Sequence, residues 1–419
     1  MSERLSAEEA QGSGKFSSNS FLWQLRAAAD AGLSQAGLDA LRARLQAQID
    51  EGRILGTVTA VARRNQLVFH EAQGWRDPLS LHPLPVDGLF RMMSSTKSVT
   101  AVAVLVMQDE GRLDIDDPVS RFIPSFKAQR VAIAPPGTTD PDRVQLVAAK
   151  RELTIKDLLT HTGGLSSSSM AGLTSVAALV NKVERRSDDT LASYVERLGA
   201  LALDFEPGSR WAYSATDGFD TLLRVVEVAG GQPAEVVLAE RIFQPLGMRD
   251  THFNVPDDKR ERIVPLHTCA GDAWQAIPSM FGDGPYSHVS GAGNLFSTAR
   301  DFLHYELMLL NQGSLNGRRV LSPEGVRLLS SNQVGSRFAE VYPDWTGGHG
   351  FGLGVAVVED PAKGMGRAAG SFGWGGAYGT VTWCDPAQEM AVVSMVQQPG
   401  ANLMSQIGPA LQQAQVAET

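Results

Sequence analysis

The chain has few cysteines, no long apolar run and no cluster of basic residues. Its 419 residues include two cysteines, Cys269 and Cys384, which are too few for a disulfide framework and are not spaced as in a zinc motif. We expect both to be small core residues. No uninterrupted apolar stretch reaches the roughly 18 residues that a membrane-spanning helix needs. The net charge of −9 makes nucleic acids and anionic membranes poor candidates as partners.

Other absences exclude particular chemistries. No Gly-x-Ser-x-Gly pentapeptide occurs, so the usual signature of a Ser-His-Asp hydrolase is missing. The histidines lack the His-Glu-x-x-His and His-x-x-Glu-His spacings, and we expect no metal and no cofactor. His161 is expected to be a structural loop residue that hydrogen-bonds to backbone. The first twenty residues lack the apolar centre of a signal peptide, which predicts a cytoplasmic protein.

Hydrophobic patterning places strands near both ends of the chain and helices between them. Residues 21–54 are helical in pattern, with a break near Gly32, and a β-hairpin is predicted around Arg64-Asn65-Gln66. After Gly347 the pattern returns to strands and ends in a helix near Leu403–Gln415. The strand segments there read FGLGVAVVED, GGAYGTVTWCD and EMAVVSMVQQP.

This arrangement predicts one α/β domain assembled from the two ends of the chain and one inserted domain. We expect the α/β domain to comprise residues 21–112 and 283–419. Residues 113–282 are expected to form the mainly helical inserted domain, because helical patterns recur there between Pro, Gly and Ser. Residues 1–20 are expected to be a flexible polar tail.

A serine and a lysine stand at the head of a helix that is apolar on nearly every face up to Met107. Such a helix must be buried between other elements. Ser94 and Lys97 are three residues apart, so their side chains are neighbours on a helix. A serine nucleophile needs a nearby base, and helix N–H groups can stabilise an oxyanion. Capping of the helix by Ser94 or Ser95 is the alternative, but a lysine in a buried helix favours function.

Two further segments are candidates for the same chemistry. Tyr213 follows a Pro-Gly turn and leads into a helical pattern; a nearby lysine would make it a base, whereas ordinary ring packing is the alternative. Five glycines within Gly370–Gly379 indicate a close approach to the backbone. An edge-strand N–H there could be a second oxyanion donor, with a glycine-rich turn around a packed tryptophan as the alternative.

Met92, Met93 and Trp345 could line a substrate cleft, but we expect them to pack in the core.

Six segments together resemble the serine β-lactamase and penicillin-binding-protein-like hydrolases. Within these, the chain is most similar to the family VIII carboxylesterases, which resemble class C β-lactamases. The matching segments lie between about Gly56 and Val393 and occur in the family's order. They are Leu89–Met93 followed by Ser94–Lys97, Leu158–Leu165, Pro207–Ser214, Pro245–Met248, Gly291–Asp301 and Trp374–Gly376.

The resemblance implies an α+β fold of the β-lactamase/transpeptidase type. An antiparallel sheet flanked by helices would carry the inserted helical domain, with the active site between them. Ser94 would be the nucleophile, Lys97 its proton partner, and Tyr213 the base for Ser94 or for the deacylating water. The backbone N–H groups of Ser94 and Ala377 would form the oxyanion hole. Either Lys97 or Tyr213 could take the first proton, and the two are best treated as a unit.

Two departures from the β-lactamase pattern bear on the substrate. β-Lactamases have Tyr-x-Asn, whereas Ala215 stands at the third position here. They also have Lys-Thr-Gly, where this chain has Trp374-Gly375-Gly376. The missing lysine would pair with a β-lactam carboxylate, and the missing asparagine would hold an acylamide side chain. Because Trp-Gly-Gly is the pattern of family VIII esterases, we expect Trp374, Gly375 and Gly376 to bind substrate.

The first hypothesis is therefore a carboxylesterase that hydrolyses short-chain acyl esters through an acyl-Ser94 intermediate, with acyl transfer to alcohols as a related activity. Its partners would be a small-molecule ester and water, with no nucleic acid and no membrane. The second hypothesis is a β-lactamase or D-alanyl peptidase. The third is a catalytically silent relative that binds an acyl ligand or a protein. Retention of Ser94, Lys97 and Tyr213 together argues against the third hypothesis.

Overall fold

The computed structural model describes residues 24–78, 82–166, 175–271 and 273–416. The predicted tail over residues 1–20 lies outside the described residues, as does the start of the predicted N-terminal helix at residues 21–23. None of the helices in the described ranges is long and apolar enough to cross a lipid bilayer.

The described chain contains strands, several of them consecutive, and helices. The strands are β1 (Gly56–Arg63), β2 (Gln66–Asp77), β3 (His82–Pro83), β4 (Phe90–Arg91), β5 (Arg130–Ile133), β6 (Gln145–Ala148), β7 (His267–Ala270), β8 (Ala273–Ala276), β9 (Phe296–Ser297), β10 (Ser314–Leu315), β11 (Arg318–Arg319), β12 (His349–Phe351), β13 (Ala356–Val358), β14 (Phe372–Gly375), β15 (Val381–Asp385) and β16 (Met390–Met395). The helices are α1 (Gln35–Asp50), α2 (Thr96–Asp109), α3 (Ile155–Leu159), α4 (Leu191–Leu198), α5 (Asp217–Gly230), α6 (Ala234–Leu238), α7 (Gln244–Leu246), α8 (Ala299–Leu310), α9 (Pro323–Ser330), α10 (Pro343–Thr346) and α11 (Met404–Ala414).

An eight-stranded antiparallel sheet joins the two ends of the chain and confirms the α+β class. Its order is β12-β13-β14-β15-β16-β1-β2-β3, and β1 from the N-terminal part pairs with β16 from the C-terminal part. The predicted hairpin is present as β1 and β2, because Arg64 and Asn65 both adopt the positive φ that a two-residue turn requires. The limits of the two predicted domains stay predictions.

Helices cover both faces of this sheet. Residues alternate in direction along each strand, so that Val61 and Val392 pack with α1 and α11 on one face. Ala60 and Val393 belong to the larger core on the other face, where α8 lies against β1, β15 and β16. Helix α2 packs against α5 and α9, and every residue from Thr96 to Met107 is buried. The prediction of a central buried helix is therefore confirmed.

One predicted strand and the expected burial of one cysteine need correction. The segment FGLGVAVVED is not one strand but the hairpin β12–β13, because Gly354 turns the chain at a φ of +77°. The segment predicted to be mainly helical contains helices α3 to α7 as well as the hairpins β5–β6 and β7–β8, and its domain assignment stays a prediction. Cys384 is a core residue as expected, whereas Cys269 lies half-buried in β7.

Of the three side chains expected to pack in the core, Met92 and Met93 are buried and confirm the prediction. Trp345 exposes 55 % of its surface, so the prediction is wrong for this residue.

A buried carboxyl group couples the stability of the core to pH. Glu306 on α8 is 2 % exposed and accepts a hydrogen bond of 3.1 Å from the Cys384 thiol of β15. Burial raises the pKa of Glu306 from 4.5 to about 7, because an apolar environment disfavours the charged carboxylate. The folded state therefore holds this proton more tightly than the unfolded chain does.

We predict that Glu306→Gln flattens the pH dependence of stability. Below the unfolded pKa of 4.5 the stabilising protonation is fully present, and it is lost as the pH rises through about 7. The loss is on the order of 3 kcal/mol in the free energy of unfolding. Urea denaturation at about pH 5 and about pH 9 measures it. The wild-type protein should lose more stability than the variant between these pH values. The matched control is Glu196→Gln at an exposed position, which should lose as much stability as the wild type. An equal loss in wild type and Glu306→Gln, or an equal flattening in Glu196→Gln, would contradict the assignment.

Candidate active site

Ser94 lies in a strained turn between β4 and α2. The preceding residue, Met93, has a φ of +48°, which costs a non-glycine residue about 1–2 kcal/mol. A 3₁₀ turn over Met93–Ser95 then leads into α2. Ser95 is the N-cap residue of α2 but its side chain caps nothing and contacts the Thr380 hydroxyl at 3.1 Å. The alternative that Ser94 or Ser95 caps the helix is therefore wrong.

Lys97 is fully buried and contacts the Ser94 hydroxyl. Its Nζ lies 3.2 Å from Ser94 Oγ and donates to the backbone carbonyls of Ala215, at 2.7 Å, and Ala292, at 3.0 Å. These two carbonyls take up two of the three hydrogen-bonding directions of the Lys97 amine, so the third direction points toward Ser94. There an ammonium group donates a proton, and a neutral amine accepts one.

Tyr213 approaches Ser94 from a second segment. Its Oη lies 2.8 Å from Ser94 Oγ, and its ring centroid lies 5.0 Å from Lys97 Nζ. The two amide groups that flank Tyr213 both donate to His161, Ala212 N to the carbonyl at 2.9 Å and Ser214 N to Nδ1 at 3.1 Å. His161 therefore fixes the backbone on both sides of Tyr213.

The prediction that His161 is a structural residue bonded to backbone is confirmed by these two hydrogen bonds. Burial, together with the charge of Lys97, lowers the pKa of His161 well below its usual value. A neutral imidazole suits its role as an acceptor.

The glycine-rich segment brings β14 against the Ser94 turn. A Cβ on Gly376 would lie 2.3 Å from the carbonyl oxygen of Met92, so only glycine allows this approach. Trp374 Nε1 donates to Tyr213 Oη at 3.4 Å. The expectation of an edge strand is wrong, since β14 is an interior strand. However, β13 pairs only with Phe372 and Gly373, which leaves the end of β14 uncovered on that side.

The two backbone groups predicted to form an oxyanion hole are available as donors. Within the described part of the chain, the N–H groups of Ser94 and Ala377 donate to no protein acceptor. The side chains of Ser94, Lys97 and Tyr213 share one hydrogen-bonded cluster, and Trp374 adjoins it. Gly375 and Gly376 continue β14 toward the Ser94 turn.

A buried hydrogen-bond network that the sequence did not predict positions the backbone carbonyl that accepts from Lys97. Asp220 of α5 is fully buried and accepts from the Ser290 hydroxyl at 2.6 Å. Ser290 Oγ in turn accepts from the N–H of Ala292 at 3.2 Å, and the carbonyl of Ala292 holds Lys97. Arg185 pairs with Asp220 at 2.9 Å and balances its charge. The only sequence signal was an aspartate inside an apolar helical pattern.

A half-buried serine at the head of a central helix contacts a buried lysine and a tyrosine, next to an antiparallel sheet flanked by helices. This arrangement defines a serine hydrolase of the β-lactamase type. The family described as Beta-lactamase matches residues 41–416. The chain belongs to this family.

Relatives and solved structures agree with this assignment. Protein Rv1367c of Mycobacterium tuberculosis is 35 % identical, covering 86 % of this chain and 90 % of its own length. Esterase EstB of Burkholderia gladioli is 33 % identical, covering 84 % of this chain and 89 % of its own length. The solved structure of EstCE1, a hydrolase with promiscuous acyltransferase activity, is similar with a TM-score of 0.73 and 26 % identity. That match covers 90 % of this chain and 99 % of EstCE1.

We predict that a fluorophosphonate forms one covalent adduct with the protein, on Ser94. Contacts with Lys97 and Tyr213 are expected to activate this hydroxyl, whereas the Ser95 hydroxyl is bonded to Thr380. Intact-protein and peptide mass spectrometry locate the adduct. Ser94→Ala should abolish labelling and Ser95→Ala should retain it. Labelling that survives in Ser94→Ala, or that maps to another residue, would refute the assignment.

Proposed function

We propose that this protein is a carboxylic ester hydrolase that cleaves short-chain acyl esters through a covalent acyl-Ser94 intermediate. The observation that carries the proposal is the shared hydrogen bonding of Ser94 Oγ, at 3.2 Å to Lys97 Nζ and 2.8 Å to Tyr213 Oη. This is the contact between nucleophile and base that covalent catalysis by serine requires. The printed names of EstB, an esterase, and EstCE1, a hydrolase with acyltransferase activity, support it.

In the acylation step, Ser94 Oγ attacks the ester carbonyl and passes its proton to the Lys97–Tyr213 pair. The N–H groups of Ser94 and Ala377 stabilise the negative charge on the tetrahedral intermediate. The intermediate collapses as the bond to the alcohol oxygen breaks, and the pair returns the proton to the departing alcohol. Acyl-Ser94 remains.

In the second step, water attacks acyl-Ser94 and the same pair accepts its proton. The acid leaves and Ser94 regains its hydrogen. An alcohol in place of water would give a new ester, which is acyl transfer. The indole N–H of Trp374 lies 3.4 Å from Tyr213 Oη and holds the phenol in place beside Ser94.

The residues around Ser94 favour an ester over a β-lactam as the substrate. The position after Ser214 is Ala215, whose backbone carbonyl is bound to Lys97 and whose methyl group cannot hold an acylamide. At the end of β14 the indole of Trp374 stands where a lysine would pair with a carboxylate. Aromatic rings surround it, with Phe351 at 5.4 Å and Tyr213 at 5.8 Å between centroids. These surroundings favour an uncharged acyl or alcohol group.

The test compares p-nitrophenyl butyrate with a chromogenic cephalosporin, using the wild-type protein and Ser94→Ala. We predict a kcat/KM for the ester at least roughly a hundredfold above that for the cephalosporin, and loss of both activities in the variant. Rapid cephalosporin turnover without ester cleavage would reverse the assignment in favour of a β-lactamase. If Ser94 is labelled but neither compound is turned over, short-chain ester hydrolysis is refuted.

A further inference from the structure

An exposed tryptophan lies beside the reacting groups. Trp345 on α10 leaves 55 % of its surface in solvent. Single exposed apolar side chains are ordinary, but Trp345 is not isolated. Its ring lies 6.4 Å from Phe338, 6.4 Å from Tyr342 and 6.5 Å from Trp374, measured between centroids. We call Phe338, Tyr342, Trp345 and Trp374 the aromatic shelf.

The aromatic shelf is continuous with the catalytic cluster. Trp374 is half-buried and donates to Tyr213 Oη, which contacts Ser94 Oγ. Phe338 is buried and packs against Trp374 and Phe351, which gives the shelf a fixed base. The shelf thus begins at Trp374, which contacts the proposed proton acceptor Tyr213, and ends at the solvent-exposed ring of Trp345.

None of the four side chains of the shelf carries a charge, so the shelf offers apolar surface rather than a partner for an ionic group. Aromatic rings attract other rings at centroid distances of about 4.5–7 Å, and a tryptophan in solvent has a face free for such stacking. A ligand that covers Trp345 also removes apolar surface from water.

We propose that the aromatic shelf binds a planar aromatic or fused-ring group of the ester substrate, with Trp345 as its outer contact. The proposal rests on the ester hydrolase function and specifies its substrate class. The chemistry is unchanged, since Ser94 attacks the same carbonyl while the ring of the substrate lies on Trp345 and Trp374.

The test measures the preference for an aryl over an alkyl substrate. One pair is 2-naphthyl butyrate and ethyl butyrate, with the ring on the alcohol; the other is ethyl 2-naphthoate and ethyl butyrate, with the ring on the acyl group. In at least one pair, Trp345→Ala should lower the ratio of aryl to alkyl kcat/KM by roughly threefold to tenfold, as expected for one lost aromatic contact. Trp345→Phe should restore most of the ratio.

The matched control is Trp75→Ala, which removes a half-exposed tryptophan from β2, outside the shelf. It should leave both ratios at the wild-type values. Unchanged ratios in Trp345→Ala for both substrate pairs would overturn the proposal, as would an equal change in Trp75→Ala.

Refutation of aromatic binding by the shelf can be distinguished from refutation of the proposed ester hydrolase function. If wild-type protein cleaves neither p-nitrophenyl butyrate nor any of these three esters, the proposed function fails, and the shelf is then tested by binding alone. Calorimetric titration of Ser94→Ala with 2-naphthol should show binding that weakens when Trp345→Ala is added. Equally strong binding of 2-naphthol to Ser94→Ala and to the variant with Trp345→Ala added, or no binding to either, would overturn the proposal that the shelf binds an aromatic group.

Discussion

The three-way contact at Ser94 Oγ is the interaction on which the site depends. A lysine side chain inside a protein loses the hydration of its amine, and this loss is expensive unless other partners replace the water. The carbonyls of Ala215 and Ala292 replace it, and they also direct the amine toward Ser94. In the proposed mechanism, the same geometry that stabilises the buried Lys97 also activates Ser94.

The fold supplies that geometry from separate parts of the chain. Helix α2 carries Lys97, and the 3₁₀ turn that leads into it carries Ser94. Burial of α2 on every side keeps water from the stem of the lysine. Tyr213 comes from the loop before α5, which His161 fixes on both sides. The strand β14 closes the site through Gly376, which touches the Ser94 turn, and through Trp374, which contacts Tyr213. Residues that are far apart in sequence, such as Ser94, Tyr213 and Trp374, are thereby brought within hydrogen-bond distance.

Local patterns made part of this predictable from the sequence. The hairpin β1–β2 follows from alternation around Arg64-Asn65, and the burial of α2 follows from its continuous apolar residues. The contact of Ser94 with Lys97 follows from their spacing by one helical turn. The support of Lys97 by Ser290 and Asp220 was not predictable, because it joins residues 70 positions apart through a loop without a periodic pattern. The exposure of Trp345 was equally unpredictable from the sequence, since a tryptophan two residues after Pro343 is compatible with a buried or an exposed position.

The central claim is that Lys97 and Tyr213 act as one unit in removing the proton of Ser94. A double-mutant cycle tests it most directly, with the rate constant of Ser94 phosphonylation measured in Lys97→Met, Tyr213→Phe and the double variant, and with circular dichroism checking the fold. The account predicts that each single variant slows the reaction at least roughly a hundredfold and that the double variant is hardly slower than either. A single variant that reacts at the wild-type rate, or losses that multiply in the double variant, would contradict it.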